Sequence, residues 1–483
     1  MVSIRAAAPI VMLLLSGCVV GPDHSAPEIT LPSKFAEGSA KSNGDVSTDQ
    51  WWTAFSDPRL NSYVKQGLDQ NLDILQAMER INQAEAQVIS AGAGGLPSLT
   101  LGTAATRSGD RGLRGSPSTT PTLSVNGGLE GSWLLDFFGL YRRSKEAAIA
   151  ELGAADAAVD TARLSLLSQV AAAYIDVRYY QESIALARSN LKSRNETLSL
   201  TRLQLDAGAA SRLDVVQSES LVNTTLATIP SLETQYRQAA HRVATLLGMP
   251  ASSLLGELQK GARQPVARFN AKAGVPADLV RNRPDIRAAE RTLAAAVANI
   301  GVAEANLYPS ISLSGSISPS YLRRNGGSDT HLLSWSFGPA LNLPIFDGGQ
   351  LRANVSASES AAREAYLAWK QTVLGAVEEV ENALAAVTRD SRTVAANRAT
   401  VASSQEALTL ATASYRDGAS SLLDVLDAQR TVSEAQSNLA QAIRQMAQDY
   451  VSLSVAMGGG YAFGKAPAGA KGPTVYAAKS LKK

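Results

Sequence analysis

Asp424 and Asp427, three residues apart, have the type and spacing in this chain that most suggest chemistry. That spacing puts both carboxylates on one helix face, where they can attract cations or narrow a passage by charge. The plainer reading is a solvated hairpin end. Acid–base catalysis would need accompanying pocket residues, and none surround the pair in Gly418-Ala419-Ser420-Ser421-Leu422-Leu423-Asp424-Val425-Leu426-Asp427. An earlier stretch is its twin: Asp206-Ala207-Gly208-Ala209-Ala210-Ser211-Arg212-Leu213-Asp214. In both, a glycine (Gly208, Gly418) suits the left-handed geometry of a helix C-terminus. A serine (Ser211, Ser421) then caps the next helix, and Asp214 or Asp424 follows in the first turn, where the dipole favours a carboxylate. Each copy predicts a tight helical hairpin. Only the second has the extra acid, Asp427.

Composition narrows the function. The chain has 483 residues, a net charge of +2 and sparse aromatics, so nothing argues for a nucleic-acid partner. Abundant Ala, Ser, Leu and Gln suit long, closely packed helices. His24, His241 and His331 lie far apart and Cys18 is the single cysteine, so no metal spacing, disulfide or thiolate cluster is expected. No phosphate-binding loop or nucleophile elbow occurs either, and neither an enzyme nor a cofactor is expected.

The first residues carry an address. Arg5 opens a basic region, and Ala6 to Leu15 is apolar but too short to span a bilayer as a helix. It ends Leu15-Ser16-Gly17-Cys18, the pattern of a bacterial lipoprotein signal, so lipid (diacylglyceryl and N-acyl) is expected on Cys18. Val19 follows, where an Asp would commonly retain a lipoprotein at the inner membrane.

The elements that place the aspartates come next. Asp57 and Pro58 read as N-cap and first residue of a helix, and a second helix begins at Leu72. After Leu96-Pro97 the period becomes two: Leu123, Val125, Leu129, Trp133 and Leu135 alternate with small polar residues. The same happens at Ile311, Leu313, Ile317 and again at Leu333, Trp335, Phe337. Such strands either face lipid on one side and water on the other, or cover a soluble core; the serine-rich face and the lipoprotein signal favour lipid. Residues 144–206 and 350–416 each read as one helix of roughly 60 residues, about 90 Å long. Helices of that length need partners along their length.

The pattern is a repeat. We divide the chain into a signal peptide (1–17), a lipidated tether (18–58), a first repeat (59–250, hairpin 98–137, tip 206–214), a linker (251–282), a second repeat (283–457, hairpin 310–343, tip 416–424) and a basic, unstructured tail (458–483). Four strands cannot close a membrane barrel, and open edges do not survive in lipid. Three chains would supply about twelve strands, an even number within the known range. The same three chains would present Asp424 and Asp427 three times each.

At this point the chain resembles a known family. Cys18-Val19-Val20-Gly21-Pro22-Asp23, Trp51-Trp52 with Asp57-Pro58, Arg283-Pro284-Asp285-Ile286, Tyr308-Pro309, Phe346-Asp347-Gly348-Gly349 and Asp424-Val425-Leu426-Asp427-Ala428 are similar to the outer-membrane factors. These are the TolC-like exit ducts of tripartite efflux pumps, here in their lipoprotein branch. The resemblance implies a mixed membrane α+β fold: a homotrimeric 12-stranded outer-membrane β-barrel continued by a periplasmic 12-helix α-barrel, with an equatorial belt of mixed structure. It implies that Asp424 and Asp427 line the periplasmic gate. The tips Gly208-Ala209-Ala210 and Gly418-Ala419-Ser420 would meet a periplasmic adaptor, itself joined to a proton-driven inner-membrane pump. Two positions depart from the family. His24 stands in place of a usual Tyr, and Ser420 in place of an Arg that some members pair with the Asp matching Asp214. Arg212 and Arg416 are the candidate replacements in that lock.

Two other readings compete. A lipid-anchored coiled-coil scaffold or adhesin explains Cys18 and the helices but leaves the serine-lined hairpins and the repeat without a reason. Within the duct class, the alternative to small-molecule efflux is protein secretion.

Overall fold

The computed structural model describes residues 19–37, 46–109, 121–261, 263–267, 278–279, 283–324 and 328–463. Cys18 and the signal segment lie outside these residues, as does most of the expected tail. The elements are a 3-10 turn at Trp51–Phe55, α1 (Pro58–Gln70), α2 (Leu72–Ala93), β1 (Ser98–Ser108), β2 (Thr122–Leu135), α3 (Leu140–Asp206), α4 (Arg212–Leu246), the short α5 (Leu255–Leu258), α6 (Pro284–Ala305), β3 (Ser310–Arg324), β4 (Thr330–Asn342), α7 (Gln350–Arg416) and α8 (Leu422–Ala456). Helix lengths recur in order: 22, 67 and 35 residues for α2, α3 and α4, then 22, 67 and 35 for α6, α7 and α8. The chain forms two compact units, which we take in turn.

The first unit contains the sheet (described residues of Met1–Ile29, with Glu79–Asp156 and Ala288–Gln371). Its four strands run β1-β2-β3-β4, every neighbour antiparallel. The register sorts the alternation into rows: Leu101, Leu129, Ile317 and Trp335 align across the sheet, and the next row is Thr100, Glu130, Ser316 and Ser336. Hydroxyl bonds at 2.9 Å join Ser316 to Ser336 and Ser98 to Ser132. Among the described residues nothing covers the apolar rows, since Leu101, Trp335 and Phe337 are 75%, 77% and 74% exposed. That excludes a soluble sheet covering its own core and leaves an apolar face for another medium. Among the described residues no helix is long and apolar enough to cross a membrane.

Residues 19–24 are pinned, not a free tether. Buried Arg143 donates to the carbonyls of Val20 and Gly21 at 3.0 and 2.9 Å and pairs with Asp23. Gly21 has φ +88°, and a Cβ there would lie 2.4 Å from Gly301 Cα, so glycine is required on both counts. His24 Nε2 lies 2.6 Å from Glu290 Oε1.

The second unit (Thr30–Met78, Ala157–Arg287, and the described residues of Thr372–Lys483) contains the main core. Trp51, Trp52, Phe55, Leu60 and Tyr63 pack on Leu167, Val170 and Tyr174 of α3, on Val243 of α4 and on Leu247 just after it. Asp57 caps α1 by accepting from the Arg59 and Leu60 amides, and its other oxygen accepts from the Tyr174 hydroxyl. The N-terminal segment is fixed here too: Phe35 is buried, and the Ala36 and Glu37 amides donate to Glu381. The expected tail begins later than its composition implied. Residues 458–463 are packed, with the Ala462 amide bonded to Ser47 and Phe463 edge-on to Trp52. Gly459 accepts from Trp51 Nε1, so these small residues close over the tryptophans.

Candidate functional site: the helical tips

Both hairpins turn in the same way. Gly208 and Gly418 have φ +75° and +73°. The Gly208 amide reaches the Leu205 carbonyl and the Ala209 amide the Gln204 carbonyl, at 2.9 and 2.8 Å; Gly418 to Tyr415 and Ala419 to Ser414 repeat this at 3.1 and 2.8 Å. This Schellman closure satisfies the last carbonyls of α3 and α7. A Cβ on either glycine would meet nothing within 4 Å, so the backbone angle alone calls for glycine.

The following turn uses the aspartate at once. Asp214 Oδ2 accepts from the Ser211 amide and hydroxyl at 2.7 and 2.6 Å, and the Asp214 amide donates back to Ser211 Oγ at 3.2 Å. These bonds from Ser211 hold the Asp214 carboxyl below its ordinary pKa. Asp424 Oδ2 likewise accepts from the Ser421 amide and hydroxyl, at 3.1 and 2.9 Å. Asp214 and Asp424 are therefore capping-box acids. Asp427 has another setting: it is 68% exposed, with Arg430 Nη1 3.7 Å away along the helix. Both aspartates of α8 lie on its exposed side, opposite Leu422, Val425 and Leu426, which pack with Tyr415, Leu200 and Leu221.

The lock candidates are dispersed. Among the described residues no ion pair joins Asp214 to Arg212 or Arg416. Glu219, bonded to Arg202 at 2.7 Å, has its pKa lowered chiefly by Arg202, with Arg212 adding to the effect. Arg416 is exposed, and the Ser420 hydroxyl is buried without a partner. Ala209, Ala210 and Ala419 complete the turns themselves, and exposed Leu213 and Leu423 follow in the first turns of α4 and α8.

Sequence reasoning missed two polar groups further along the helices. One is buried Arg194. The other is Asp390 of α7 facing Asp449 of α8; burial first, then Asp449, raise the Asp390 pKa to about 6. Neither shows in the chain as read, because Asp390 and Asp449 meet only once α7 and α8 fold back. Among the described residues no group of three or more acidic, His or Cys side chains could hold a metal.

A sheet with exposed apolar rows, in one chain with paired helices of 67 and 35 residues ending in matched hairpins, defines an outer-membrane channel. The outer membrane efflux protein family matches residues 63–249 and 275–459, and the chain belongs to that family. It is 54% identical to Nodulation protein T of Rhizobium leguminosarum bv. viciae, over 99% of this chain and 98% of that one. It is 32% identical to the pyoverdine export outer membrane protein OpmQ of Pseudomonas aeruginosa, over 93% of this chain and 95% of that one. The solved outer-membrane channel OprN superposes with a TM-score of 0.81 at 32% identity, covering 92% of this chain and all of that one. The fold is accordingly that of a trimeric outer-membrane channel with a β-barrel, four strands per chain, and an α-barrel.

Proposed function

We propose that this chain is the exit duct of a tripartite efflux system, passively conducting small molecules from an inner-membrane proton-driven pump and a periplasmic adaptor to the outside. The observation that carries the reading is the sheet, whose apolar rows are open and whose edges, β1 and β4, pair with no further strand among the described residues. Such a sheet needs lipid on one face and neighbouring chains at its edges. Small-molecule export is supported by the name of one relative, which exports pyoverdine. The tips dock the adaptor, the pump supplies the energy, and the duct itself catalyses nothing.

Asp424 and Asp427, three of each in a trimer, form the gate and attract cations to it. Single-channel recordings in a planar bilayer test this. The native trimer is expected to conduct weakly and to be blocked by multivalent cations; Asp424→Ala with Asp427→Ala raises conductance several-fold and removes the block. Native conductance unchanged by the double substitution would move the gate elsewhere. No conductance from an inserted trimer would favour the scaffold. Lipid on Cys18 anchors the chain, so Cys18→Ser abolishes labelling by radioactive fatty acid; a mutant that is still labelled refutes the anchor.

A further inference from the structure

The strands join the helices at one end of the sheet, through Ser98, Leu135, Ser310 and Asn342, and turn into hairpins at the other. In an outer-membrane barrel continued by a periplasmic helical tunnel, the hairpin end is the outer one. The pairing runs without a bulge, so the side chains of one row share a face. The face that carries Leu101, Leu129, Ile317 and Trp335 continues outwards through Thr103, Gly127, Pro319 and Leu333, then Ala105, Val125, Tyr321 and His331. A Cβ on Gly127 would meet the side chains of Pro319 at 3.6 Å and Thr103 at 3.9 Å, which sets all three on that face.

The next row changes character. It is Arg107, Leu123 and Arg323, and both arginines are exposed. Among the described residues they are the fixed charges of this face, since Glu130 lies on the other. No carboxylate among the described residues pairs with either; Asp329 accepts instead from the Tyr321 hydroxyl at 2.8 Å. At the helix end the same face finishes on Leu135, Ile311 and Leu341, all apolar. The charge therefore belongs to the outer rim alone. Ile311 to Tyr321 spans about 34 Å along β3, or about 25 Å of height at a tilt near 40°, which fills the apolar band of a membrane barrel. Arg323 comes one step beyond, level with the lipid headgroups.

We propose that Arg107 and Arg323 form a binding site for a phosphate group on the headgroup of an outer-leaflet lipid, held where the outward face of the barrel leaves the hydrocarbon. Leu123 separates the two arginines by two strand spacings, roughly 10 Å between backbones, so their long side chains reach over it towards one headgroup. A guanidinium presents paired N–H groups that match phosphate oxygens, and with no acid bound to it this capacity is unspent. The apolar rows directly inward receive the acyl chains of the same lipid, which a free anion lacks. The site rests on the outer-membrane barrel and is independent of what the duct carries or how its tips are gated.

The test uses the full-length trimer in a neutral detergent. Native mass spectrometry compares binding of lipid A, a phosphorylated glycolipid, with binding of the same lipid stripped of its phosphates. The native trimer is expected to prefer the phosphorylated form by about tenfold, and Arg107→Gln with Arg323→Gln to bring the two within about twofold. Both positions are exposed and unpaired, so the double variant should assemble. Should it not, Arg323→Gln alone, inside the sheet on β3, is expected to lose most of the preference. Arg323→Lys keeps the charge without the paired N–H groups and should retain part of it. Phosphorylated lipid should also protect the native trimer from heat dissociation, and the double variant should lose that protection. A native trimer that binds both forms equally, or a double variant with the native preference, overturns the proposal. Inorganic phosphate protecting the trimer as well as the lipid does would assign a free-anion site and overturn the lipid as ligand. If Arg107→Gln weakens the trimer while Arg323→Gln leaves the preference intact, Arg107 belongs to the seam between chains and the proposal fails.

Discussion

The two tips share a backbone and differ in charge. Each closes with a left-handed glycine, and each next helix opens with a serine whose amide and hydroxyl bind the aspartate three residues on. Around the first tip, Arg202 and Glu219 form a pair that Arg212 reinforces. In the second, the position of Glu219 is Gln429, buried and bonded to Thr197 at 2.9 Å, and the charge moves out to Asp427 and Arg430. Asp214 and Asp424 thus do the same structural work, and Asp427 is the charge the second tip adds. The pair that looked equivalent on one helix face divides into a carboxylate held by Ser421 and an exposed one.

The glycines test the shared half of this comparison. A left-handed residue with a side chain costs roughly 1–2 kcal/mol, and β-branching adds to it. Because a Cβ meets nothing at either tip, Gly208→Val and Gly418→Val should destabilise their hairpins to the same degree and weaken crosslinking to the adaptor. Strongly unequal losses of crosslinking would show that the adaptor reads one hairpin only.

A smaller effect separates the repeats by pH. Asp390 and Asp449 in the second repeat correspond to Tyr180 and Ala239 in the first, so the carboxyl pair has no counterpart there. The Asp390 pKa is raised to about 6, so the folded chain binds a proton that the unfolded chain releases above its ordinary range near 4. Stability from this group is absent at pH 7.5, grows as the pH falls through about 6 and is complete below the unfolded value. Between pH 7.5 and 5 the folding equilibrium should gain about tenfold from it. Asp390→Asn should remove that gain and raise stability at pH 7.5. Unfolding curves at several pH values decide the matter, and a variant with the native pH dependence would place the titration elsewhere.

Periodicity made the fold class legible, because strands lit by lipid on one side alternate strictly and 67-residue helices leave no room for interior breaks. Leu129, Ile317 and Trp335 share a row because each sits at an odd step of its own alternation. The tips were legible from Gly-x-x-Ser. What stayed hidden depends on contacts distant in sequence. Residues 19–37 have no period, so nothing announced that Arg143 and Glu381 would hold them. At the candidate site, the sequence named Ser421 as the cap and put Asp424 and Asp427 on one face, but not that the Ser421 amide and hydroxyl would both bind the Asp424 carboxylate, which depends on the turn before the helix. Arg194 looked like any helix arginine until α4 and α8 covered it.

The finest test sets the capping acids against Asp427. Removing a cap typically costs about 1 kcal/mol, so Asp214→Ala and Asp424→Ala should lower stability alike. Asp427→Ala removes only an exposed pair with Arg430, of the kind that contributes at most a few tenths of a kcal/mol, and its unfolding curve should overlay the native one. The order reverses in the bilayer. Asp214→Ala should leave block by multivalent cations intact, whereas Asp427→Ala should relieve most of it, since its carboxylate is free to meet an ion and that of Asp424 is committed to Ser421. If Asp424→Ala alone relieved the block while Asp427→Ala did not, the capping acid would be the gate, and the division between capping and exposed carboxylates would fail.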